Sequence, residues 1–267
     1  MNAKNMITIF LVSVGLVFFA IHACGEDETK QAPPGTVSAG EGPDSVMTCE
    51  ACRKFNELNT AIRDGLIDKT EAAARFKAVL KELAEFAGRN DLAAELSGRC
   101  VFPLEGYPSS AIGGDKGSGY VEGGYDYFDG NAHTGHPAHD LFIRDRNRDG
   151  LDDATGKAVQ VLAMDGGIVV AVETKWEKGS SLRGGRYIWI YNPADHFLTC
   201  YAHNEAVFAR LGDAVKPGDR IATVGRTGLN AYRRGSVTHL HLMHLDVKDG
   251  RSRSVDRFGV FSTCRFQ

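Results

Sequence analysis

A mainly β fold preceded by a small α-helical hairpin is what this chain predicts, and three observations carry the prediction. From residue 101 onward, Ile168–Val172, Tyr187–Tyr191, Phe197–Tyr201 and His239–Val247 are short β-branched and aromatic runs split by glycine turns, with no helical period. Between residues 48 and 98 the apolar residues instead recur at helical spacing. The whole chain has 267 residues, 43% of them apolar, and a net charge of −3, enough for one good-sized domain plus a small one. The absence of a basic surplus argues against nucleic acid as a partner.

Taken in order, the N-terminus reads as an address. Met1–Lys4 is a short segment with one lysine, and residues 6–21 are apolar apart from Thr8 and Ser13. Ile21-His-Ala-Cys24 resembles a bacterial lipobox, in which cleavage leaves Cys24 as a lipidated first residue. Residues 1–23 are therefore expected to be a lipoprotein-type signal peptide, although the apolar run also approaches the roughly 20 residues that span a bilayer. Either way the rest of the chain lies outside the cytoplasm. Gly25 and Glu26 after the cysteine favour, by that resemblance, the outer membrane facing the periplasm. Residues 24–47, rich in Gly, Glu, Asp, Thr, Pro and Ser, read as a flexible tether spanning on the order of 25 Å.

Residues 48–100 are the helical module. Phe55, Leu58, Ile62 and Leu66 form one stripe; Asp68, with Glu71 three residues on, caps a second helix; and Ala72, Phe76, Leu80, Leu83 and Phe86 continue to Gly88. So small a hairpin needs its stripe covered by the following domain, residues 101–267. It is expected to be a packing appendage, a regulatory segment shielding a groove, or a docking site for a partner protein.

Six cysteines in an exported chain suggest disulfides. With Cys24 given to lipid, Cys49, Cys52, Cys100, Cys200 and Cys264 remain, so at least one is free or pairs between chains. One of Cys49 and Cys52 could bridge to Cys100, and Cys200 with Cys264 would pin the C-terminus. A zinc site on Cys49-x-x-Cys52 lacks a second pair.

The chemistry concentrates in His136, Asp140, His203, His239 and His241. His239 and His241 are two apart, so they share one face of a strand, and the four-residue step from His136 to Asp140 suits a strand or a helix. Imidazoles and a carboxylate are the ligands that a catalytic zinc accepts, three from the protein with a fourth position for water. Five candidates exceed that need by two, which leaves two histidines for chemistry. A lone strand histidine is more often a core or surface residue, and His22, His133, His139, His196 and His244 do not join the pattern.

The surrounding segments give the five residues a context. His136-Pro-Ala-His-Asp140 is followed by Thr155–Val159, Ala163–Ala171, Tyr201-Ala-His203, Gly212–Asp219, Ile221–Gly228 and Thr238-His-Leu-His-Leu242. In that order, over roughly residues 125–248, the chain resembles the lysostaphin/LytM-type zinc metallopeptidases, which cleave peptide bonds in bacterial peptidoglycan. The resemblance implies a mostly antiparallel sheet with a substrate groove across one face. It also implies zinc held by His136, Asp140 and His241, with His203 and His239 as catalytic histidines. Ala138 stands where many relatives have glycine.

A zinc-bound water, its pKa lowered from about 15.7 to about 7, could attack a peptide carbonyl. No His-Glu-x-x-His segment supplies a glutamate base, so His203 and His239 are the candidates for base and oxyanion stabiliser. Tyr125 and Tyr127 lie upstream within reach of such a site.

One insertion reads as a second, calcium-type site. Asp145, Asn147 and Asp149 alternate before Gly150, as a calcium loop begins, with Leu151 and Asp153 completing the candidate set. Gly156 stands where an EF-hand has its bidentate glutamate. Arginines 144, 146 and 148 suit a plain solvated loop equally well.

The sequence thus supports a zinc endopeptidase of peptidoglycan cross-links. A non-catalytic wall-binding module of the same fold, activating a separate amidase, is the alternative; it is disfavoured by five filled positions. A carrier domain is suggested by Gly212–Asp219 alone and lacks the exposed Asp-Lys turn.

Overall fold

The computed structural model describes residues 48–113 and 119–267. Cys24 and the segments read as signal peptide and tether lie outside the described residues. No helix among the described residues is long and apolar enough to cross a membrane.

Helix α1 (Glu50–Arg63) is followed by α2 (Lys69–Arg89) and a short α3 (Leu92–Glu95). Asp68 caps α2, its carboxylate accepting from the amides of Thr70 and Glu71, as expected from its place before the apolar run. Phe55, Leu58 and Ile62 are buried on α1, but Leu66 is 76% exposed. The chain leaves the helix after Arg63, so the expected stripe ends one turn early.

Eleven strands follow among the described residues: β1 (Ile112–Gly113), β2 (Ala138–Phe142), β3 (Gln160–Leu162), β4 (Gly167–Glu173), β5 (Arg186–Asn192), β6 (Phe197–Asn204), β7 (Ala206–Val207), β8 (Ala214–Val215), β9 (Arg220–Thr223), β10 (His239–Asp246) and β11 (Arg253–Ser254); α4 (Phe258–Phe261) comes last. The main sheet runs β1-β2-β10-β6-β5-β4-β8, with β11 paired to the far end of β10, and β3-β9-β7 forms a smaller sheet. Every pairing between these strands is antiparallel, so the fold is mainly antiparallel β with N-terminal helices.

Side-chain alternation sorts the strands onto two cores. On β10, Met243 and Leu245 join Trp189, Tyr187, Leu198 and Cys200 beneath α1 and α2. Leu240 and Leu242 face the other way, with Leu141, Ile188, Ile190, Tyr201 and Phe261. The hairpin stripe (Phe55, Leu58, Phe76, Leu83) is therefore covered by the sheet, as its size required. A 3₁₀ strap, Tyr127–Ala132, lies against the C-terminal end of α1. A Cβ on Gly130 of the strap would come within 2.2 Å of the Ile62 carbonyl.

The disulfides differ from expectation: Cys49 pairs with Cys52, and Cys100 with Cys264, leaving Cys200 as the buried free cysteine among the described residues. The expected Cys200–Cys264 bridge is excluded by side-chain direction, because Cys200 faces the helical core and Cys264 the core on the opposite side of the sheet. Cys49 and Cys52, three apart at the start of α1 with Cα atoms 5.2 Å apart, reach each other more readily than either reaches Cys100.

Candidate metal centre

Asp140 on β2 lies directly opposite His241 on β10, and His239 lies opposite Phe142. His136 precedes β2 and is held extended by reciprocal backbone hydrogen bonds with Val121 (2.6 and 2.7 Å), so its side chain falls on the face that carries Asp140. His136 Nε2 stands 3.2 Å from Asp140 Oδ2, and His241 Nδ1 stands 3.1 Å from Asp140 Oδ1. Among the described residues these three form a group that could hold a metal ion, their ligand atoms all within 4.8 Å of one another.

The donor set fits zinc. Donors about 2.0–2.1 Å from a tetrahedral zinc are roughly 3.3 Å apart, close to the spacings seen on either side of Asp140. His136 Nδ1 lies 3.0 Å from the Gly119 carbonyl. An acceptor there fixes the proton on Nδ1 and leaves the Nε2 lone pair for a metal, the usual outer-shell arrangement. Burial alone would raise the Asp140 carboxyl, but His136 and His241 hold it well below the usual carboxylate range. Burial lowers His241 against the opposing pull of Asp140.

His203 reaches the same place by an irregular route. From Ile188 to Arg186 on β5 the partner on β6 moves three residues, from Tyr201 to Asn204, which marks a bulge. His203 itself has φ 66°, a left-handed conformation that is strained for a residue with a Cβ. The consequence is that Ala202 and His203, though consecutive, both line one cavity. His203 Nδ1 donates to the Thr227 carbonyl at 2.7 Å, and His239 Nδ1 to the Val237 carbonyl at 2.7 Å. Nδ1 of each ring is thereby engaged, and Nε2 of His239 lies 3.7 Å from Asp140 Oδ1. Ring centroids of His203 lie 4.9 Å from His239 and 5.4 Å from His241. Burial, reinforced by the neighbouring His239 and His241, pushes His203 well below its ordinary pKa, toward the neutral ring.

All five expected residues thus line one cavity of about 320 Å³, with Tyr125 and Tyr127 on its wall. Its far end is built by Asn59, Ile62 and Arg63 of α1. There Asn59 donates to the Tyr187 hydroxyl (3.0 Å) and accepts from Tyr127 (2.9 Å), while Arg63 pairs with Glu173 (2.7 Å). His139 and His244 are buried on the opposite face, where strand parity puts them.

Several positioning groups were not singled out by the sequence reading. Thr227 takes the His203 proton on its carbonyl, and its hydroxyl donates to the Asn204 carbonyl at 2.9 Å. Gly228 (φ 109°) follows it, where a Cβ would lie 2.3 Å from the Arg183 carbonyl and 2.9 Å from His203 Nδ1. The Arg-Thr-Gly segment was the available signal, a glycine turn flanked by a short polar residue.

Asp145, Asn147, Asp149, Leu151 and Asp153, the calcium-type set, are not found among groups of three or more His, Cys, Asp or Glu side chains that could hold a metal ion in the described residues. The Asp145 carboxylate is engaged instead by the amides of Asp149 (3.1 Å) and Gly150 (2.9 Å) and by the Thr238 hydroxyl (2.5 Å). Asn147 donates to Asp149, and Asp153 accepts from the Arg146 amide. The loop is an anchor for the residue just before His239.

Residues 146–254 match the family model described as peptidase family M23. The matched span contains His203, His239 and His241 and begins after His136 and Asp140, which the fold brings alongside.

Among curated proteins, the chain is 36% identical over 85 residues to the murein hydrolase activator NlpD of Escherichia coli, covering 32% of this chain and 21% of that protein. It is 30% identical over 89 residues to the uncharacterized lipoprotein YgeR of E. coli, 33% of each chain. The chain thus spans between a fifth and a third of the length of these relatives. Among solved structures it is similar to lysostaphin of Staphylococcus simulans (22% identity, 51% of this chain and 46% of that one, TM-score 0.33). A zinc-containing peptidase from Vibrio cholerae is also similar (22% identity, 59% and 39%, TM-score 0.39).

Proposed function

We propose that this protein is a zinc endopeptidase that cleaves peptide cross-links of bacterial peptidoglycan, carried in the cell envelope by a lipid on Cys24 and a tether over residues 24–47. The observation that carries the reading is the convergence, in one cavity, of a three-donor group and two further histidines each held through Nδ1. His136, Asp140 and His241 would hold the metal, which when bound polarises a peptide carbonyl and makes water acidic enough to ionise near neutral pH. His203, kept neutral by burial, accepts a proton at Nε2 from the attacking water. His203 then returns that proton to the leaving amine, and His239, its ring braced by the Val237 carbonyl, steadies the charge that develops on the carbonyl oxygen when its Nε2 also carries a proton. Thr227 and Val237 fix both rings, so neither has to reorganise during the reaction.

The printed name of the NlpD relative favours a second reading, an activator of a separate amidase. Filled ligand positions favour catalysis. The experiment is product analysis of purified peptidoglycan treated with the zinc-reconstituted full chain, alone and beside an amidase. New peptide amino termini from the chain alone support the endopeptidase. Unchanged peptides, with greater amidase release when both are present, overturn it in favour of the activator.

A further inference from the structure

The cavity has an uneven charge that the hydrolytic machinery does not use. Among the described residues Asp140 is the carboxylate on its wall, whereas two guanidiniums, Arg63 and Arg183, line it. Arg63 is committed to Asp64 and Glu173. Arg183 pairs with no carboxylate among the described residues; it donates through Nη1 alone, to the carbonyls of His133 and Asn131 (3.4 Å to the latter). That leaves the Nε–Nη2 edge, whose two parallel N–H groups match the two oxygens of a carboxylate.

Its position is as telling as its charge. The Arg183 backbone runs beside His203, because the His203 amide donates to the Gly184 carbonyl at 2.9 Å and Gly228 packs against both Arg183 and His203. The guanidinium then reaches across to residues 131–133, on the bank that leads to His136. Arg183 therefore lines the cavity between the segment that carries His203 and the segment that leads to His136.

We propose that Arg183 is a specificity-determining residue that pairs with a free carboxylate on the substrate peptide, close to the bond that is cut. This inference rests on peptide hydrolysis at the metal centre. The carboxylate is either the terminal group of a stem peptide or a side-chain carboxylate, and a test must separate the two. A carboxylate entering a partly desolvated site beside an unpaired guanidinium gains charge-assisted hydrogen bonds that its amide cannot make, worth roughly tenfold or more in affinity.

The test uses the zinc-reconstituted full chain and a soluble cross-linked stem-peptide dimer in three forms: carboxylates free, terminal carboxylate amidated, and side-chain carboxylate amidated. The wild type is expected to prefer the free form over one of the amides by roughly tenfold in kcat/KM, mostly through KM, and the disfavoured amide identifies the carboxylate. Arg183→Gln is expected to collapse that preference to near unity, and Arg183→Lys to restore part of it. A strut that only braces residues 131–133 would lower all three substrates in parallel and leave the ratio intact. That outcome, or a wild type indifferent to amidation, overturns the proposal. If no peptide is cleaved, the endopeptidase reading has failed, and affinities of the same three peptides still decide this one. Selective binding lost in Arg183→Gln upholds it, and equal binding overturns it.

Discussion

Removing the Asp145 carboxylate should destabilise the protein and disturb His239 without touching the metal ligands. Asp145 is 4% exposed and accepts from two loop amides and from Thr238, whose side chain is fully buried. In Asp145→Ala the loop amides can turn to water, but the Thr238 hydroxyl cannot. A buried donor left unpaired costs about 1–3 kcal/mol, and losing the charged acceptor adds to it, so the sum is roughly 2–4 kcal/mol. For a unit of this size each kcal/mol moves Tm by roughly 2–4 °C, so a fall of about 5–15 °C is expected in a calorimetric scan. Thr238→Val removes the same partner from the other side. The double variant should therefore be less destabilised than the two singles predict, by about 1 kcal/mol or more. Millimolar calcium should leave the wild-type Tm unchanged. A shift below about 2 °C for Asp145→Ala would refute the anchor. So would a calcium-induced rise that vanishes in the variant, which would show a cation where the structure places hydrogen bonds.

His203→Ala and His239→Ala should each keep stoichiometric zinc yet lose roughly 10²–10⁴-fold in hydrolysis, measured by metal analysis and peptide assay on the same preparations. Cys100→Ser should lower stability by several kcal/mol in denaturant titration, because Cys100–Cys264 closes a loop with a sequence separation of 164; Cys49→Ser, breaking a bridge with a separation of 3, should cost far less. His244 is fully buried, and burial, with Arg257 and His139 nearby, pushes its pKa well below the ordinary 6.5. The unfolded chain then binds a proton that the folded one resists. Stability is full above about pH 6.5 and falls as pH drops below it, and His244→Leu should flatten that acid limb in urea titrations at several pH values.

Much of this was legible in the sequence because it rests on alternation. His239 and His241 two apart, His136 and Asp140 four apart, and the apolar runs of β4, β5, β6 and β10 follow the period of a strand. Asp68 announced the start of α2 through its short oxygen side chain. His203 could be found by its context but not placed, since strict alternation would send it to the face opposite Ala202; the bulge and a positive φ bring it round. The disulfides were misassigned because pairing depends on which face of the sheet a cysteine occupies, and spacing along the chain does not report that. The Asp145 loop carries the oxygen pattern of a cation site, yet its donors are backbone amides and Thr238, more than ninety residues away in sequence. Arg183 had no periodic or motif signal, and only the folded cavity shows that it lacks an acidic partner among the described residues.

The most direct test of the central claim is zinc content and peptide-bond cleavage measured together, for wild type and His241→Ala, on one preparation of cross-linked peptidoglycan peptides. The account predicts one zinc per wild-type chain with new amino termini released, and loss of both in His241→Ala. Full cleavage by a metal-free His241→Ala chain, or a zinc-replete wild type that cuts no peptide bond, would contradict it.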